Sequence, residues 1–209
     1  GVRAVGVTLS RPQAELARAR VEEAGLADRV EVRHAYFRDV SDGPYDAISG
    51  IGMAEHVGRA RFKEYAENLY RLLRPGGRLL NHHIARRPGK PGEGSVFIQK
   101  YVFPDGELSP MGDTVSALEE AGFEVRDVEA IREHYAKTLR AWVRNLDANW
   151  DDAVRMTSEG RARVWRIYMA GSALAFEANR IGVNQVLAVR PGPRGRSGFP
   201  ATRDALLRD

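Results

Sequence analysis

An acidic and a basic side chain, Glu55 and His56, follow a short apolar segment and a glycine-containing turn. The segment, residues 47–50, predicts a buried strand, and Gly52 lies in the turn that follows it. In an open α/β sheet, ligands bind beyond the carboxyl ends of the strands, so this pattern points an acid at the expected ligand site. Glu55 would equally suit the first turn of a helix, where the dipole favours a carboxylate. The residue types alone leave both interpretations open.

The composition of the 209 residues restricts the class of protein. The chain is 43% hydrophobic, which allows one domain with a sizeable core. It has no cysteine, which excludes disulfides, zinc–thiolate sites and cysteine nucleophiles. Its net charge of +4 fits an anionic partner, such as a phospholipid surface, a phosphate or a nucleic acid, or simply a solvated basic surface. No apolar stretch approaches the ~20 residues of a membrane span, and no signal peptide is visible, so we expect a soluble, cytoplasmic protein.

Strand and helix patterns alternate along the chain and predict the sheet that must position these side chains. Parallel strands are predicted at residues 1–8, 30–34, 45–50 and 78–83. Such alternation is typical of a doubly wound α/β fold with a mostly parallel sheet. A final strand at residues 184–190 is expected to pair antiparallel with one at residues 123–130.

The predicted domain covers residues 1–190, with a helical insertion at about 132–181. Long helices are expected there at residues 135–150 and 159–181. Residues 191–209, rich in Gly, Pro and Arg, are expected to form a poorly packed tail. A doubly wound nucleotide-binding domain usually opens with a strand and a glycine-rich turn. No such turn is found, so we expect that the first strand and the glycine-rich motif are missing from this chain.

Several motifs occur together in one order along the chain. They are VGVTLS at 5–10 with Gln13, IGMAEHVG at 51–58, LNHHI at 80–84, FIQKYVFPDG at 97–106, HYAKTLRAW at 134–142 and NQV at 184–186. Together they resemble the cyclopropane fatty acid synthase family, which includes the mycolic acid cyclopropane synthases. The chain departs from the family's pattern at Ala54, where the family usually has an aromatic residue. The resemblance implies a methyltransferase of class I fold with S-adenosylmethionine as its cofactor.

The resemblance also implies a reaction and the residues that carry it. A methyl group passes from S-adenosylmethionine to the cis double bond of a phospholipid acyl chain, and a bound bicarbonate ion removes a proton. The family's bicarbonate ligands correspond to Glu55, His82 and Tyr135, with the Ile84 backbone nearby. Alignment on the isoleucine selects His82, and His83 is the alternative. As a plain structural interpretation, His82 could be a core histidine and Tyr135 an interface aromatic.

The cofactor is assigned to a different part of the chain. By resemblance, Thr8, Leu9 and Gln13 meet its ribose and methionine portions, and Tyr36 and Phe37 flank its adenine. Ordinary core packing is the alternative for the two aromatic residues.

Other side chains near these motifs have weaker assignments. His56 is expected to orient its turn by hydrogen bonding. Phe97, Tyr101 and Phe103 alternate along a predicted strand at residues 96–103 and could line a tunnel for an acyl chain. Residues 85–94, which contain proline and glycine, predict a mobile loop or lid. Four further aromatic residues have helical spacings that suit a plain core: Trp142, Trp165, Tyr168 and Phe176.

The product and the partners are left open by the sequence. The product could be a cyclopropane, or a 10-methylene chain that a partner reductase could turn into a methyl branch. We expect a membrane phospholipid as substrate, peripheral contact with the inner membrane face and no nucleic acid, with a homo-oligomer as an open alternative. Two other functions compete: a methyltransferase of the same fold acting on a small molecule, and a non-catalytic lipid-binding subunit whose cofactor site another chain completes.

Overall fold

The computed structural model describes residues 1–89 and 96–203. Its backbone forms two compact units, Gly1–Pro44 and Tyr45–Asp209. No helix within the described residues combines the length and the apolar character that crossing a membrane requires.

The first unit is a β-α-β unit made of β1 (Ala4–Thr8), α1 (Arg11–Glu23) and β2 (Val30–His34). The two strands pair in parallel, and Thr8 lies opposite His34 at their carboxyl ends. Helix α1 begins after Ser10, whose side chain accepts a hydrogen bond from the Gln13 backbone N–H. The predicted alternation of strand, helix and parallel strand is therefore confirmed for this unit.

The second unit contains, in chain order, β3 (Tyr45–Ile51), α2 (Ala54–Val57), α3 (Phe62–Leu72), β4 (Leu73–Arg86), α4 (Val96–Tyr101), α5 (Met111–Glu120), β5 (Glu124–Ala130), α6 (Arg132–Ala148), α7 (Trp150–Met156), α8 (Glu159–Glu177) and β6 (Ile181–Val189). Its strands form a sheet in the order β3-β4-β6-β5. β3 and β4 are parallel, whereas β6 runs antiparallel to both β4 and β5. The predicted α/β fold with an antiparallel final strand is thus confirmed.

A core cluster joins the helices α6 and α8 to strand β6. Its buried members are Ala136, Leu139, Met169, Ala173, Phe176 and Val183. The alanines let the two helices approach closely, and burial of each larger apolar side chain stabilises the fold by about 1.5–3 kcal/mol. Tyr135 is packed at the margin of this cluster. The core therefore fixes the start of α6 against the sheet.

The predicted strand at residues 96–103 is wrong, because Val96–Tyr101 is the helix α4. Phe97 and Tyr101 are four residues apart, and their ring centroids lie 5.5 Å from each other, as expected for neighbours on a helix. The alternation of aromatic residues had suggested a two-residue period, but this i,i+4 spacing fits a helix. In the predicted lid, Ala85 and Arg86 belong to β4. Residues 90–95 lie outside the described residues, so the lid remains a prediction.

The predicted tail contacts the sheet at residues 199 and 203, although none of residues 191–203 is buried. The Phe199 ring is covered by the guanidinium groups of Arg78 and Arg126, at 4.6 and 5.6 Å from its centroid. Arg203 forms an ion pair of 2.7 Å with Asp127 on β5. Arginine side chains therefore attach this segment to the sheet, although its composition suggested a loose end.

Candidate active site

Three predicted site residues come together in the second unit. Glu55 lies on α2, His82 on β4 and Tyr135 in the first turn of α6, and Glu55 and His82 are each only 8% exposed. His82 Nε2 lies 2.6 Å from the Tyr135 hydroxyl. Burial raises the pKa of Tyr135, and the nearby negative charge of Glu55 raises it further. Tyr135 therefore keeps its proton and can act as a hydrogen-bond donor.

The backbone around the end of β3 holds Glu55 in place. Gly52 follows this strand with a φ of +65°, which favours glycine, and its N–H donates to the His82 carbonyl at 2.9 Å. The next donor along this edge of β4 is the Ile84 N–H, and it donates to Glu55 Oε1 at 2.8 Å. The Glu55 carbonyl accepts from the Glu107 N–H at 2.9 Å. The carboxylate thus continues the hydrogen bonding of β4 where the neighbouring strand has ended.

The second carboxylate oxygen, Glu55 Oε2, is buried and has no hydrogen-bond partner among the described residues. Buried polar atoms are nearly always paired, because an unpaired one costs about 1–3 kcal/mol. An ionised carboxylate can only accept, so this oxygen is suited to a ligand that carries an O–H or N–H group.

The neighbouring histidine, His83, faces the opposite side of β4. Its Nδ1 lies 3.1 Å from the Asn81 amide nitrogen and its Nε2 lies 3.0 Å from the Thr114 hydroxyl. Asn81 in turn accepts from the Tyr65 hydroxyl at 2.9 Å. Burial, reinforced by the proximity of His82, lowers the pKa of His83 to about 4. Of the two candidates, only His82 reaches Tyr135.

Two aromatic residues of α8, Phe176 and Tyr168, lie near the polar groups of the site. Phe176 packs 5.6 Å from Tyr135, and Tyr168 packs edge-on against Phe103 at 5.6 Å. Burial raises the pKa of Tyr168, a hydrogen bond with Ser172 lowers it, and the negative charge of Glu55 raises it again. Tyr168, which its spacing assigned to a plain core, therefore lies close to the site. The small polar centre thus has aromatic rings of α8 beside it.

His56 has a more modest place than the site residues. It is exposed, and its ring packs edge-on against Phe103 with the centroids 5.6 Å apart. Its backbone N–H donates to the Met53 carbonyl at 3.0 Å, within the turn that carries Glu55.

Sequence reasoning gave no role to Gln185. It lies directly opposite His82 in the antiparallel pairing of β6 with β4, and its amide nitrogen is 3.2 Å from His82 Nδ1. The signals in the sequence are its place in the NQV motif at 184–186 and a pair of polar residues in an otherwise apolar final strand. The pairing register was needed to connect it with His82.

The residues assigned to the cofactor lie at the carboxyl edge of β1 and β2 in the first unit. Thr8 donates its hydroxyl hydrogen to Gln13 Oε1 at 2.9 Å. The Leu9 carbonyl lies 2.9 Å from the His34 ring, which places Leu9 next to the end of β2. Leu9 is 55% exposed, so this edge presents an apolar side chain beside polar groups.

The two aromatic residues follow β2 at the same edge. Tyr36 is 45% exposed and has the Arg38 guanidinium 4.9 Å from its ring centroid, whereas Phe37 is partly buried. An exposed Tyr36 does not fit ordinary core packing. An aromatic face beside Thr8 and Gln13 suits a nucleoside with a polar amino-acid tail, which is the chemical make-up of S-adenosylmethionine.

Comparison with known proteins gives one consistent result. A family model described as mycolic acid cyclopropane synthetase matches residues 1–186. A probable fatty acid methyltransferase of Mycobacterium tuberculosis is 43% identical over 201 residues, which cover 96% of this chain and 47% of that protein. A probable fatty acid methyltransferase of Pseudomonas putida is 42% identical over 209 residues, covering 97% and 53% respectively. The chain therefore spans about half the length of the curated relatives it matches.

A solved structure shows the same similarity in three dimensions. The mycolic acid cyclopropane synthase CmaA1, in complex with SAH and CTAB, matches with a TM-score of 0.83 and 30% sequence identity. The match covers 90% of this chain and 70% of that one.

Proposed function

The chain belongs to the mycolic acid cyclopropane synthetase family of S-adenosylmethionine-dependent methyltransferases, and from this premise we propose its reaction. The protein transfers a methyl or methylene group to the cis double bond of an unsaturated acyl chain in a phospholipid. The observation that carries the proposal is the unpaired oxygen of Glu55 beside the hydrogen-bonded His82–Tyr135 pair. Phe176 packs against Tyr135 and Tyr168 lies nearby, so aromatic rings border these groups.

The alkene is a poor nucleophile, so the protein must hold it in line and protect the positive charge that develops on it. When bound, S-adenosylmethionine supplies an electrophilic methyl group. Aromatic faces attract a cation, and the rings of Phe176 and Tyr168 lie near the polar centre. Their role is to exclude water and to stabilise the cationic acyl chain.

Proton removal requires a base, and the polar centre suits a bicarbonate ion. Bicarbonate carries one O–H group, whose hydrogen Glu55 Oε2 can accept. It also carries a charged oxygen, to which the Tyr135 hydroxyl can donate. The Ile84 N–H already donates to Glu55 Oε1, so its role is to hold the carboxylate. Bound in this way, the ion supplies a base that Glu55 and Tyr135 orient, with His82 supporting Tyr135.

The cofactor is held by the first unit through Thr8, Leu9 and Gln13, with Tyr36 and Phe37 beside the adenine. Gln13 is exposed and accepts the Thr8 hydroxyl hydrogen, so its amide nitrogen remains available to a ligand. Gln13→Ala should therefore weaken S-adenosylmethionine binding in calorimetry. Equal affinity of the wild type and the variant would contradict this placement.

The membrane substrate agrees with the charge distribution along α6. Several arginines in this region are paired, among them Arg140 with Glu177 at 2.7 Å and Arg166 with Asp147 at 2.6 Å. A groove of about 480 Å³ along α6 is also lined by Lys137 and Arg144, for which no ion pair is described. We therefore assign contact with anionic phospholipid to this groove rather than to all the arginines of residues 132–166.

Vesicle sedimentation tests the membrane contact. Each basic residue near an anionic surface contributes about 1 kcal/mol, so Lys137→Gln with Arg144→Gln should release the protein from anionic vesicles. Rising salt should do the same to the wild type. The control replaces the paired Arg166 with Gln and should bind like the wild type. Binding that ignores both salt and lipid charge would contradict the proposal.

Lipid mass spectrometry of cells that express the protein tests the reaction itself. We expect monounsaturated phospholipids to gain one CH2 unit, and Glu55→Gln to abolish the gain. Loss of the double bond would identify a cyclopropane, and its retention would identify a methylene chain that a reductase could use. Lipids that stay unchanged while small molecules are methylated would replace the proposal with the small-molecule alternative. A gain that needs a second chain would favour the subunit alternative.

A further inference from the structure

Gln185, His82 and Tyr135 form one hydrogen-bonded chain across two strands and a helix. The Gln185 amide nitrogen lies 3.2 Å from His82 Nδ1, and His82 Nε2 lies 2.6 Å from the Tyr135 hydroxyl. Residues directly opposite each other in an antiparallel pair present their side chains on the same face of the sheet. The register of β4 and β6 therefore aligns Gln185 with the site.

The chemistry of the three groups gives this chain a direction. In the orientation that the structure gives the Gln185 amide, its nitrogen faces Nδ1, and an amide nitrogen can only donate, so Nδ1 is the accepting nitrogen of the His82 ring. In a neutral imidazole the hydrogen then lies on Nε2, which donates it to the Tyr135 oxygen. The hydroxyl hydrogen of Tyr135 is consequently left for another acceptor.

We propose that Gln185 is a positioning residue that fixes the tautomer of His82 and thereby directs the Tyr135 hydroxyl hydrogen to the reacting centre. The inference rests on the proposed function, because the acceptor at that centre is the oxyanion held by Glu55 and Tyr135. It deepens that function by assigning the direction of each hydrogen bond in the site.

The opposite tautomer would make the site unsuitable for an anion. If Nδ1 carried the hydrogen, it would face the Gln185 amide hydrogens, and Nε2 would accept the Tyr135 hydrogen. Tyr135 would then present only lone pairs beside the Glu55 carboxylate. Two acceptors cannot hold the charged oxygen of an oxyanion, so the tautomer of His82 decides whether Tyr135 attracts or repels it.

Nitrogen NMR of the histidine rings tests the tautomer without any reaction. The chain has five histidines, and His82→Gln identifies the His82 signals among them. At about pH 8, where an unperturbed imidazole is neutral, the wild type should show Nδ1 without hydrogen and Nε2 with it. Gln185→Met removes the donor at similar length and should give a mixture of tautomers. Gln185→Glu supplies only acceptors and should move the hydrogen to Nδ1.

The matched control is Glu129→Gln, since Glu129 is exposed and lies opposite Gln185 in the pairing of β5 with β6. This variant should leave the His82 signals unchanged. A wild-type His82 with its hydrogen on Nδ1, or a tautomer unaffected by Gln185→Met, would overturn the inference.

Turnover supplies the second measurement. Gln185→Met should reduce turnover by about 10–100-fold, by analogy with the loss seen when the hydrogen-bond partner of a metal-binding histidine is removed. S-adenosylmethionine affinity should remain that of the wild type, and Glu129→Gln should turn over normally. Loss of cofactor affinity in parallel with turnover would indicate a merely structural role and overturn the inference. A wild type without lipid methylation but with the expected tautomer would refute the proposed function alone.

Discussion

His82 and His83 are consecutive residues on β4 with opposite surroundings. The network around His83 is closed: Tyr65, Asn81 and Thr114 supply its hydrogen bonds, and all three are fully buried. The network around His82 is open, because it runs from Gln185 to Tyr135 and lies beside the unpaired oxygen of Glu55.

This difference gives the two networks different effects: the closed network stabilises the fold, whereas the open network can bind a ligand. A closed polar network stabilises one arrangement of the interior, and any broken member leaves its partner unsatisfied. An open network retains hydrogen-bonding capacity for a ligand, at a cost to the stability of the fold. Because side chains alternate along a strand, a single step in sequence is enough to place the two histidines in opposite networks.

The largest effect should come from the open network. Glu55→Gln replaces a carboxylate oxygen by an NH2 group, which cannot accept the hydrogen of the anion. We expect turnover of a monounsaturated phospholipid to fall by about 10²–10⁴-fold, equivalent to about 3–5 kcal/mol in the barrier. Calorimetry should show unchanged cofactor affinity, and depletion of bicarbonate should slow the wild type but not the variant.

A double variant sharpens the same test. If Glu55 and Tyr135 act on one anion, Glu55→Gln combined with Tyr135→Phe should be scarcely slower than either single variant. Full turnover by Glu55→Gln, or no response of the wild type to bicarbonate, would return Glu55 to the role of a helix-terminal acid.

The closed network should respond to acid. The pKa of His83 is about 4 in the folded chain and 6.5 when unperturbed, so the unfolded chain takes up the proton first as the pH falls. Its contribution to stability is complete above pH 6.5 and declines towards pH 4. Urea unfolding at about pH 7 and at about pH 4.5 measures how much free energy of unfolding is lost on acidification. This loss should be about 2–3 kcal/mol larger for the wild type than for His83→Gln, whose side chain cannot titrate. Equal losses would mean that His83 is not held neutral.

A smaller effect is expected where one member of the closed network is removed. Thr114→Val keeps the shape of the side chain and leaves His83 Nε2 without its partner. We expect the free energy of unfolding to fall by about 1–3 kcal/mol, with turnover close to that of the wild type. A variant that loses turnover but keeps its stability would contradict the separation of the two networks.

The smallest effect is a coupling between Gly50 and Tyr65. A Cβ atom at Gly50 would lie 2.5 Å from the Tyr65 hydroxyl oxygen. The Tyr65 ring carbon that bears this hydroxyl, Cζ, would lie at 3.8 Å, which is an ordinary contact. Gly50→Ala should therefore be destabilising, and adding Tyr65→Phe should recover about 0.5–1 kcal/mol of that loss in chemical denaturation. If the losses of stability from Gly50→Ala and Tyr65→Phe were strictly additive, the Tyr65 hydroxyl would not be what restricts the space at Gly50.

The sequence predicted much of the fold because its cues were local. Alternating strand and helix patterns identified the β-α-β unit, and the apolar segment before Gly52 correctly placed the end of β3. Residues 96–101 were misassigned because three aromatic residues suggested a strand period, while Phe97 and Tyr101 have the spacing of helical neighbours. Phe199 could not be predicted to pack, since its arginine partners come from distant strands.

The candidate site was predicted where a motif named the residue, and missed where the register decided it. Glu55, His82 and Tyr135 were selected by resemblance, and the structure brings them together, while their roles remain predictions. Alignment on the isoleucine selected His82 over His83, and the structure agrees with that choice, because only His82 lies on the face of β4 that meets Tyr135. Gln185 was hidden because it lies 103 residues from His82 along the chain, and only antiparallel pairing makes them neighbours.

The position of β6 in the sheet affects how the protein folds during synthesis. It is the last strand in the described chain, yet it lies between β4 and β5, and β5 reaches the sheet only through it. As the chain leaves the ribosome, β4 therefore keeps an unpaired edge until about a hundred residues more have been made. Contacts of such long range form slowly and leave strand edges open to wrong partners. The nascent protein is thus most exposed to aggregation while the imidazole of its site still lacks the strand that orients it.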